Sequence, residues 1–453
     1  MDAKVSKPQT EAQGRRLYEF AARLYPICRS ITGAGVRETL QLIRARIPLA
    51  IREVRSGTRL FDWQVPPEWN IEDASVSDAD GRRVIDFRKH NLHLVSYSEP
   101  IRTTLSRAEL LKRVHVLTEH PDWIPYRTSY YERSWGFCMS ARSRDALPEG
   151  CYRIEVHSSL APGALSYGEL AIPGATRAEV LFFTHICHPS LANDNTSGMA
   201  VATALAEWIA REPRRFTYRF VFAPGTIGSL AWLKANEARL KRIRHGLVLA
   251  LLGDPGNLTY KRTRQEDREI DAIAGYVLAH RGTLVPFSPY GYDERQLCSP
   301  GFNLPVGRLT RSVNGGYPQY HTSADNLELI TPQALADSLR ACQELVEIIE
   351  ANERYVNRSP KGEPRLGKRG LYGAVGGLEP LEREHALLWV LNQSDGHHSL
   401  LDIAQRSGLK FAALQAAAAE LRKARLLGVS ADANRRSRAG RGPSNTHRGR
   451  RKA

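Results

Sequence analysis

Between Glu11 and Arg46 the apolar positions Leu17, Phe20, Ala21 and Leu24, then Leu40, Leu42 and Ile43, recur at helical spacing. Pro26 and Gly33-Ala34-Gly35 break the run, so the pattern predicts two helices. The pattern then changes character. From about Glu53 to Cys151, short runs such as Val84–Phe87 and Leu92–Tyr97, separated by turn residues like Asp80-Gly81, predict a β-rich region. From Tyr152 to Asn352 strand-like and helix-like patterns alternate. Val180–Phe183, Phe216–Phe222, Gly246–Leu252 and Leu304–Gly307 are expected strands, and Met199–Ala210, Leu230–Leu240, Arg268–His280 and Pro332–Ala351 expected helices. Alternation of this kind predicts an α/β fold, a mixed sheet with helices on both faces.

The Gly-, Pro-, Lys- and Arg-rich stretch 355–376 is expected to be a linker. Beyond it, Glu382–Asn392, Ser399–Arg406 and Phe411–Leu421 form three short helical patterns with Gly408 between the last two, the outline of a winged helix-turn-helix. The expected divisions are therefore 1–52 (N-terminal helices of the α/β domain), 53–151 (β-rich insertion), 152–354 (α/β domain), 355–376 (linker), 377–430 (winged helix) and 431–453 (tail).

With 453 residues the chain is long enough for two or three cores. No N-terminal apolar segment and no membrane-length apolar run occurs, and the six Cys form no CxxC pair. Those features predict a soluble cytoplasmic protein with free thiols and no membrane partner. The formal charge of +16 suggests a nucleic-acid binder until it is located along the chain. Residues 431–453 hold eight Arg or Lys against one Asp, so nearly half of the excess sits in a tail whose composition predicts disorder. The second helix of the winged motif, Phe411–Leu421, is dominated by Ala and Leu and poor in base-reading side chains. Its expected use is to dock a protein partner or a second copy of the chain. Any nucleic-acid affinity is expected to be weak and salt-sensitive.

Candidate chemistry gathers where expected strands end, the usual place for a ligand crevice in an open α/β sheet. Thr184-His185-Ile186-Cys187-His188-Pro189 follows the run Val180–Phe183 and leads to Asp194. Leu252-Gly253-Asp254-Pro255-Gly256 ends a second strand with a carboxylate. Tyr320-His321-Thr322-Ser323-Ala324-Asp325 supplies another imidazole before a helix, and Tyr292-Asp293-Glu294-Arg295-Gln296 puts an acidic pair in a loop. Each has a structural alternative: a hydrogen-bonded His, a helix cap at Asp194 or Asp325, a turn at Asp254, an ion pair of Glu294 with an Arg. Four such segments at corresponding ends of one sheet point instead to a shared metal site, since hydrolytic zinc centres combine imidazole and carboxylate ligands. The rings of Trp123, Tyr126, Tyr130, Tyr131 and Trp135 are candidates either for a core or for a cleft beside that sheet.

The His segment, Asp-Asn-x-Ser-Gly opening a helix, a strand ending in Gly-Asp and a late Tyr-His-Thr-Ser-x-Asp together resemble the cocatalytic zinc aminopeptidase superfamily. Cys187-His188-Pro189-Ser190, Pro224–Ser229, Asp293–Gln296 and Tyr320–Ser323 bring the chain closer to a bacterial aminopeptidase-like family of unassigned substrate, with a β-rich insertion and a C-terminal winged helix. That resemblance covers Leu17 to about Leu427. It implies a zinc-aminopeptidase-like mixed sheet flanked by helices, one or two zinc ions, and His188 (or His185), Asp194, Asp254 and His321 as ligands. It also implies a peptide or small amide as substrate. His188 is the first choice because its reach to Asp194 is short and Pro189 stiffens the loop. One element is missing: where the superfamily carries a Glu-Glu pair this chain reads Phe222-Ala223-Pro224-Gly225-Thr226. Glu294, or Asp293, is then the expected general base. The competing expectation is a weakly catalytic or noncatalytic protein that binds a small molecule or peptide, coupled to a winged-helix regulatory module.

Overall fold

The computed structural model describes residues 7–371 and 379–430; the expected tail at 431–453 and part of the expected linker lie outside them. Two compact units result. One comprises the chain up to Ile172 with Val180–Glu212 and Tyr218–Gln343; the other comprises Pro173–Glu179, Pro213–Thr217 and the chain from Glu344 on.

The first unit is built on an eight-stranded mixed sheet. In spatial order its strands are Ala50–Arg55, Ala164–Ile172, Thr217–Ala223, Glu179–His185, Ile243–Leu249, Val306–Thr310, Leu258–Lys261 and Gly282–Val285. The apolar runs of the sequence occupy its centre. Every residue of Glu179–His185 is buried, as expected of a strand covered on both faces. The first two helices are Lys7–Leu24 and Ala34–Arg44; Leu17, Phe20, Ala21 and Leu24 form one buried stripe of the first. Helix Gly198–Ile209, rich in Ala and other apolar residues, is buried along most of its length.

The inserted region folds around a four-stranded sheet in the order Arg83–Asp86, Glu68–Ser77, Cys151–Ala161, Ile101–Ser106. Tyr152, Ile154 and Val156 alternate inward along Cys151–Ala161, the period of a sheet with one face on the core. This strand carries the insertion's sheet to residue 161, beyond the boundary drawn at 151. The strand expected at Leu92–Tyr97 is absent. Asn91–His93 is a short 3-10 turn, started by the His90 ring accepting the Leu92 amide, and Tyr97 has a positive φ of 73°, which no extended run accommodates.

The second unit carries a winged helix. Helices Glu379–Gln393, Leu400–Ser407 and Phe411–Lys423 accompany a three-stranded sheet in which Arg354–Asn357 lies between Asp395–Ser399 and Leu427–Val429. Ser399 and Asp402 form a capping box, and Gly408 ends the helix at φ 70°. Arg354–Asn357 straddles the boundary expected at residue 355, so the winged-helix sheet begins before the Gly/Pro-rich stretch. Among the described residues, no helix is long and apolar enough to cross a membrane.

Candidate metal centre

The centre is assembled at strand ends. His185 is the last residue of Glu179–His185, and the amide of the next residue, Ile186, bonds to Ala223 O at the end of the neighbouring strand. Asp194 lies in the π-type turn Ala192–Ser197 that leads into helix Gly198–Ile209, and its own carboxylate is fully buried. That carboxylate meets three imidazoles. His185 Nε2 is 2.7 Å from Oδ1 and His321 Nε2 is 3.0 Å from Oδ2. His188 Nδ1 stands 3.3 Å from Oδ2 without a hydrogen-bond partner. The ligand atoms of His185, His188 and Asp194 all lie within 4.8 Å of one another. Both histidines therefore face the carboxylate, where sequence reasoning ranked His188 first.

Burial opposes charge on these groups, and their mutual attraction works against it. Despite burial, His188 is raised well above its ordinary value by Asp194 and then Cys187, while Asp194 is held far below its own by His188 and His185. Burial lowers His321, only partly offset by Asp194. Imidazole nitrogens around a dry carboxylate, one of them unpartnered, form a donor set that suits a divalent cation.

Supporting groups fix this geometry. Asp325, expected as a helix cap or a signature residue, receives the amides of Asn193 at 2.6 Å and Asp194 at 3.0 Å, and so holds the turn that carries Asp194. Its own burial pushes it up to about 8, against those two amides, which favour the charged form. Arg29, fully buried, donates from Nε to His188 O at 2.9 Å, a role with no signal in the sequence. The inserted region reaches the centre directly. Tyr126 N bonds His321 O at 2.8 Å, and its ring packs edge-on against His188 and His321, with centroids 5.3 and 5.2 Å away. Tyr292 stacks on His185 and Tyr320 on His321. Both tyrosines stood inside the recognised segments, but the alternation pattern carried no hint of which ring they cover. Of the five-ring cluster, Tyr126 and Tyr130 lie by the centre, whereas Trp123 stacks on His120 and Trp135 packs on Phe137.

Of the other expected site residues, Asp254 and Glu294 are engaged away from the imidazoles. Asp254 accepts four hydrogen bonds, from Asn193 Nδ2, Gly256 N, and the amide and hydroxyl of Ser312. Its polar contacts run to the scaffold of the centre and not to the imidazoles. Glu294 is fully buried, and its Oε1 takes Lys261 Nζ at 2.8 Å and Arg308 Nη1 at 3.3 Å, the ion pair that was its structural alternative. Asp293, one residue earlier, turns the other way. Its Oδ1 accepts Thr226 N at 2.8 Å, directly after Gly225, and its Oδ2 is buried without a hydrogen-bond partner. Burial raises its pKa, and the nearby His185 pulls it back. A Cβ at Gly225 would meet Cys187 Sγ at 3.5 Å and His185 Cβ at 3.8 Å, so position 225 opens beside the centre.

Comparison with known proteins fits this arrangement. A family model described as a domain of unknown function, DUF4910, matches residues 18–352, and one described as a winged helix-turn-helix matches 353–429. A protein of Clostridium acetobutylicum, named for an inferred role in polysaccharide biosynthesis and an aminopeptidase-like domain, is 48% identical over 419 residues, covering 91% of this chain and 96% of its own. A crystal structure from the same organism, titled as an inferred peptidase, superposes with a TM-score of 0.89 at 46% identity, over 93% of this chain and 98% of its own. The zinc aminopeptidase BSAP of Bacillus subtilis shares the fold at a TM-score of 0.55 and 14% identity, over 74% of this chain and 95% of its own. The chain thus belongs to the DUF4910 family, an aminopeptidase-like α/β fold followed by a C-terminal winged helix.

Proposed function

We propose that the chain is a zinc-dependent hydrolase of amide bonds, with a peptide or small acyl amide as substrate. The observation that carries this reading is the convergence of His185, His188 and His321 on the buried Asp194 carboxylate, with His188 Nδ1 unpartnered. These four side chains would hold one or two ions. When bound, zinc supplies Lewis acidity for the amide carbonyl and lowers the pKa of water. The polypeptide supplies the rest. Asp293 Oδ2 is buried, lacks a hydrogen-bond partner and belongs to a carboxylate anchored beside Gly225, where the superfamily's acidic pair is missing. It takes a proton from the attacking water and later returns it to the amine. The water oxygen joins the acyl carbon, the C–N bond breaks, and the proton leaves with the amine, giving a carboxylic acid and an amine. Tyr126, Tyr292 and Tyr320 pack on the imidazoles and fix their ring planes. Glu294 holds Lys261 and Arg308 in place of the base role.

A second reading, a binding protein with little or no catalysis, draws support from the saturated Asp254 carboxylate and the empty position at Gly225. The winged helix would serve as its docking module for a protein partner. For either reading we place the chain in the cytoplasm, supported by its six free thiols.

Metal analysis of the purified protein, then turnover of a panel of aminoacyl amides and N-acyl amino sugars before and after chelation, tests the proposal. We expect zinc at one or two equivalents and chelator-sensitive cleavage. Asp293→Asn should keep the metal and lose most turnover, whereas Asp194→Asn should lose the metal. A zinc-loaded protein that cleaves none of the panel leaves the binding reading standing.

A further inference from the structure

A cavity of about 840 Å³ lies in the inserted region beside the hairpin formed by Arg59–Leu60 and Trp63–Gln64, within the size range of small-ligand sites. Two rings on its lining are conspicuous for their exposure. Trp63 is 40% exposed and Tyr131 51%, and they meet edge to face with centroids 5.4 Å apart. Large rings left partly in water at the mouth of a cavity are the usual mark of a surface that covers a ligand. Tyr97 and Tyr130 line the same cavity. Tyr130 Oη bonds Tyr126 Oη at 2.6 Å, and Tyr126 is the ring packed against His188 and His321. One pair of tyrosines therefore separates this cavity from the imidazoles.

The lining selects among ligand chemistries. Pro66, Pro67 and Pro162 line it. Proline has no amide hydrogen, so that part of the wall offers few main-chain donors to an extended peptide, which docks mainly through backbone pairing. The exposed charges are of both signs, Asp62 and Glu132 against Arg133, so neither a cation nor an anion is favoured. None of the three is in an ion pair among the described residues, so their hydrogen-bonding capacity is available. Gln64 donates to Gly57 O, which leaves its amide oxygen as a further acceptor. Aromatic faces combined with dispersed donors and acceptors match a neutral polyhydroxylated ligand, whose C–H faces lie on rings while its hydroxyls bond to the rim.

We infer that this cleft binds an oligosaccharide carrying N-acyl groups. The saccharide assignment stands on the cleft alone; the N-acyl group rests on the amide-hydrolase reading, since the neighbouring centre would act on that bond. Water would add to the acyl carbon, the C–N bond would break, and a carboxylic acid and an amino sugar would leave.

The full-length protein, stripped of metal so that nothing turns over, should be titrated with triacetylchitotriose by calorimetry and by Trp63-sensitive fluorescence. Saturable binding is expected, weakened roughly tenfold or more in Trp63→Ala and in Tyr131→Ala. Unchanged melting temperatures would show that both variants fold. Absence of saturable binding overturns the inference. So does binding that both substitutions leave intact, or equal competition by N-acetyl-alanyl-alanine amide. Repeating the titration with zinc separates the two readings. Ring-dependent binding without release of acetate keeps the cleft and removes the hydrolase, while acetate release indifferent to both substitutions does the reverse.

Discussion

Three imidazoles converge on Asp194, so its orientation decides whether the centre exists. That orientation comes from Asp325, which takes the amides of Asn193 and Asp194 at once. Asp325→Ala would leave two buried N–H groups without acceptors, at roughly 1–3 kcal/mol each. A fall in stability of about 2 kcal/mol or more is expected by denaturant unfolding, together with weaker metal retention on dialysis; unchanged stability would show that the turn holds itself. Position 225 allows the opposite experiment, a gain. Nothing closer than 3.5 Å meets a Cβ there, and Gly225 does not sit at positive φ, so Gly225→Glu should fold normally. The new carboxylate would stand beside His185. Slower zinc loss to a competing chelator is the expected result, and identical loss rates would mean that the side chain points elsewhere.

Elements differ in how openly the sequence announced them. Val180–Phe183 could be read because a central strand buried on both faces is a continuous apolar run, and Pro332–Ala351 because a long helix repeats its stripe many times. Glu68–Ser77 could not, because Asn70 and Glu72 point away from the core, Asp73 is an acid buried against Arg83, and a bulge between Ile71 and Asp73 breaks the alternation. The same distinction runs through the site. His185 and Asp194 share a short segment that runs from the end of a strand to the start of a helix, and His321 lies in a turn between two elements, so their segments could be picked out of the sequence. Which of Asp293 and Glu294 is held in an ion pair could not, because it depends on Lys261 and Arg308, cations brought side by side on two neighbouring strands that claim Glu294. Glu68 joins elements in a comparable way. At the start of its strand it accepts from Arg37 on helix Ala34–Arg44 and from Ala164 N at the start of another strand. The Arg37 guanidinium, helped by that amide and opposed by burial, holds its carboxyl down at about 2 against an ordinary 4.5. A depressed folded pKa stabilises fully above the unfolded value and loses that contribution as pH falls toward 2. The melting temperature of Glu68→Gln should consequently start lower at neutral pH and decline less between pH 4.5 and 2 than that of the parent. Parallel declines would assign the acid sensitivity to other carboxylates.

At the scale of the whole chain, the question is where the second functional module begins. Composition put a linker at 355–376, because Gly, Pro and basic residues rarely belong to a core. Yet Arg354–Asn357 lies between Asp395–Ser399 and Leu427–Val429, and each of those outer strands pairs with it alone. Removing the middle strand would leave both outer ones without a ladder, exposing backbone groups that a three-helix core cannot satisfy. The helices carry a real core, with Leu387, Val390, Leu400, Ile403, Leu414 and Leu421 buried, so the helical half is not itself in question. Two C-terminal fragments discriminate. One spanning 353–430 should melt cooperatively with dispersed amide resonances, whereas one spanning 377–430 should show helical signal without a cooperative transition. A cooperative 377–430 fragment would mean that three helices suffice and that the strand at 354–357 is an accessory. The same longer fragment tests what the module recognises. Before its basic end, helix Phe411–Lys423 exposes Ala412, Gln415, Ala416 and Ala419, a face with one amide for reading bases. Glu420, next along the same helix, is paired with Arg383, which takes one cation from those available to phosphate. Titrated with duplex DNA, the fragment should bind weakly, without preference for sequence, and lose that binding as salt rises. Salt-resistant, sequence-dependent affinity would instead make this module a reader of DNA and reverse the assignment of the winged helix to protein contacts.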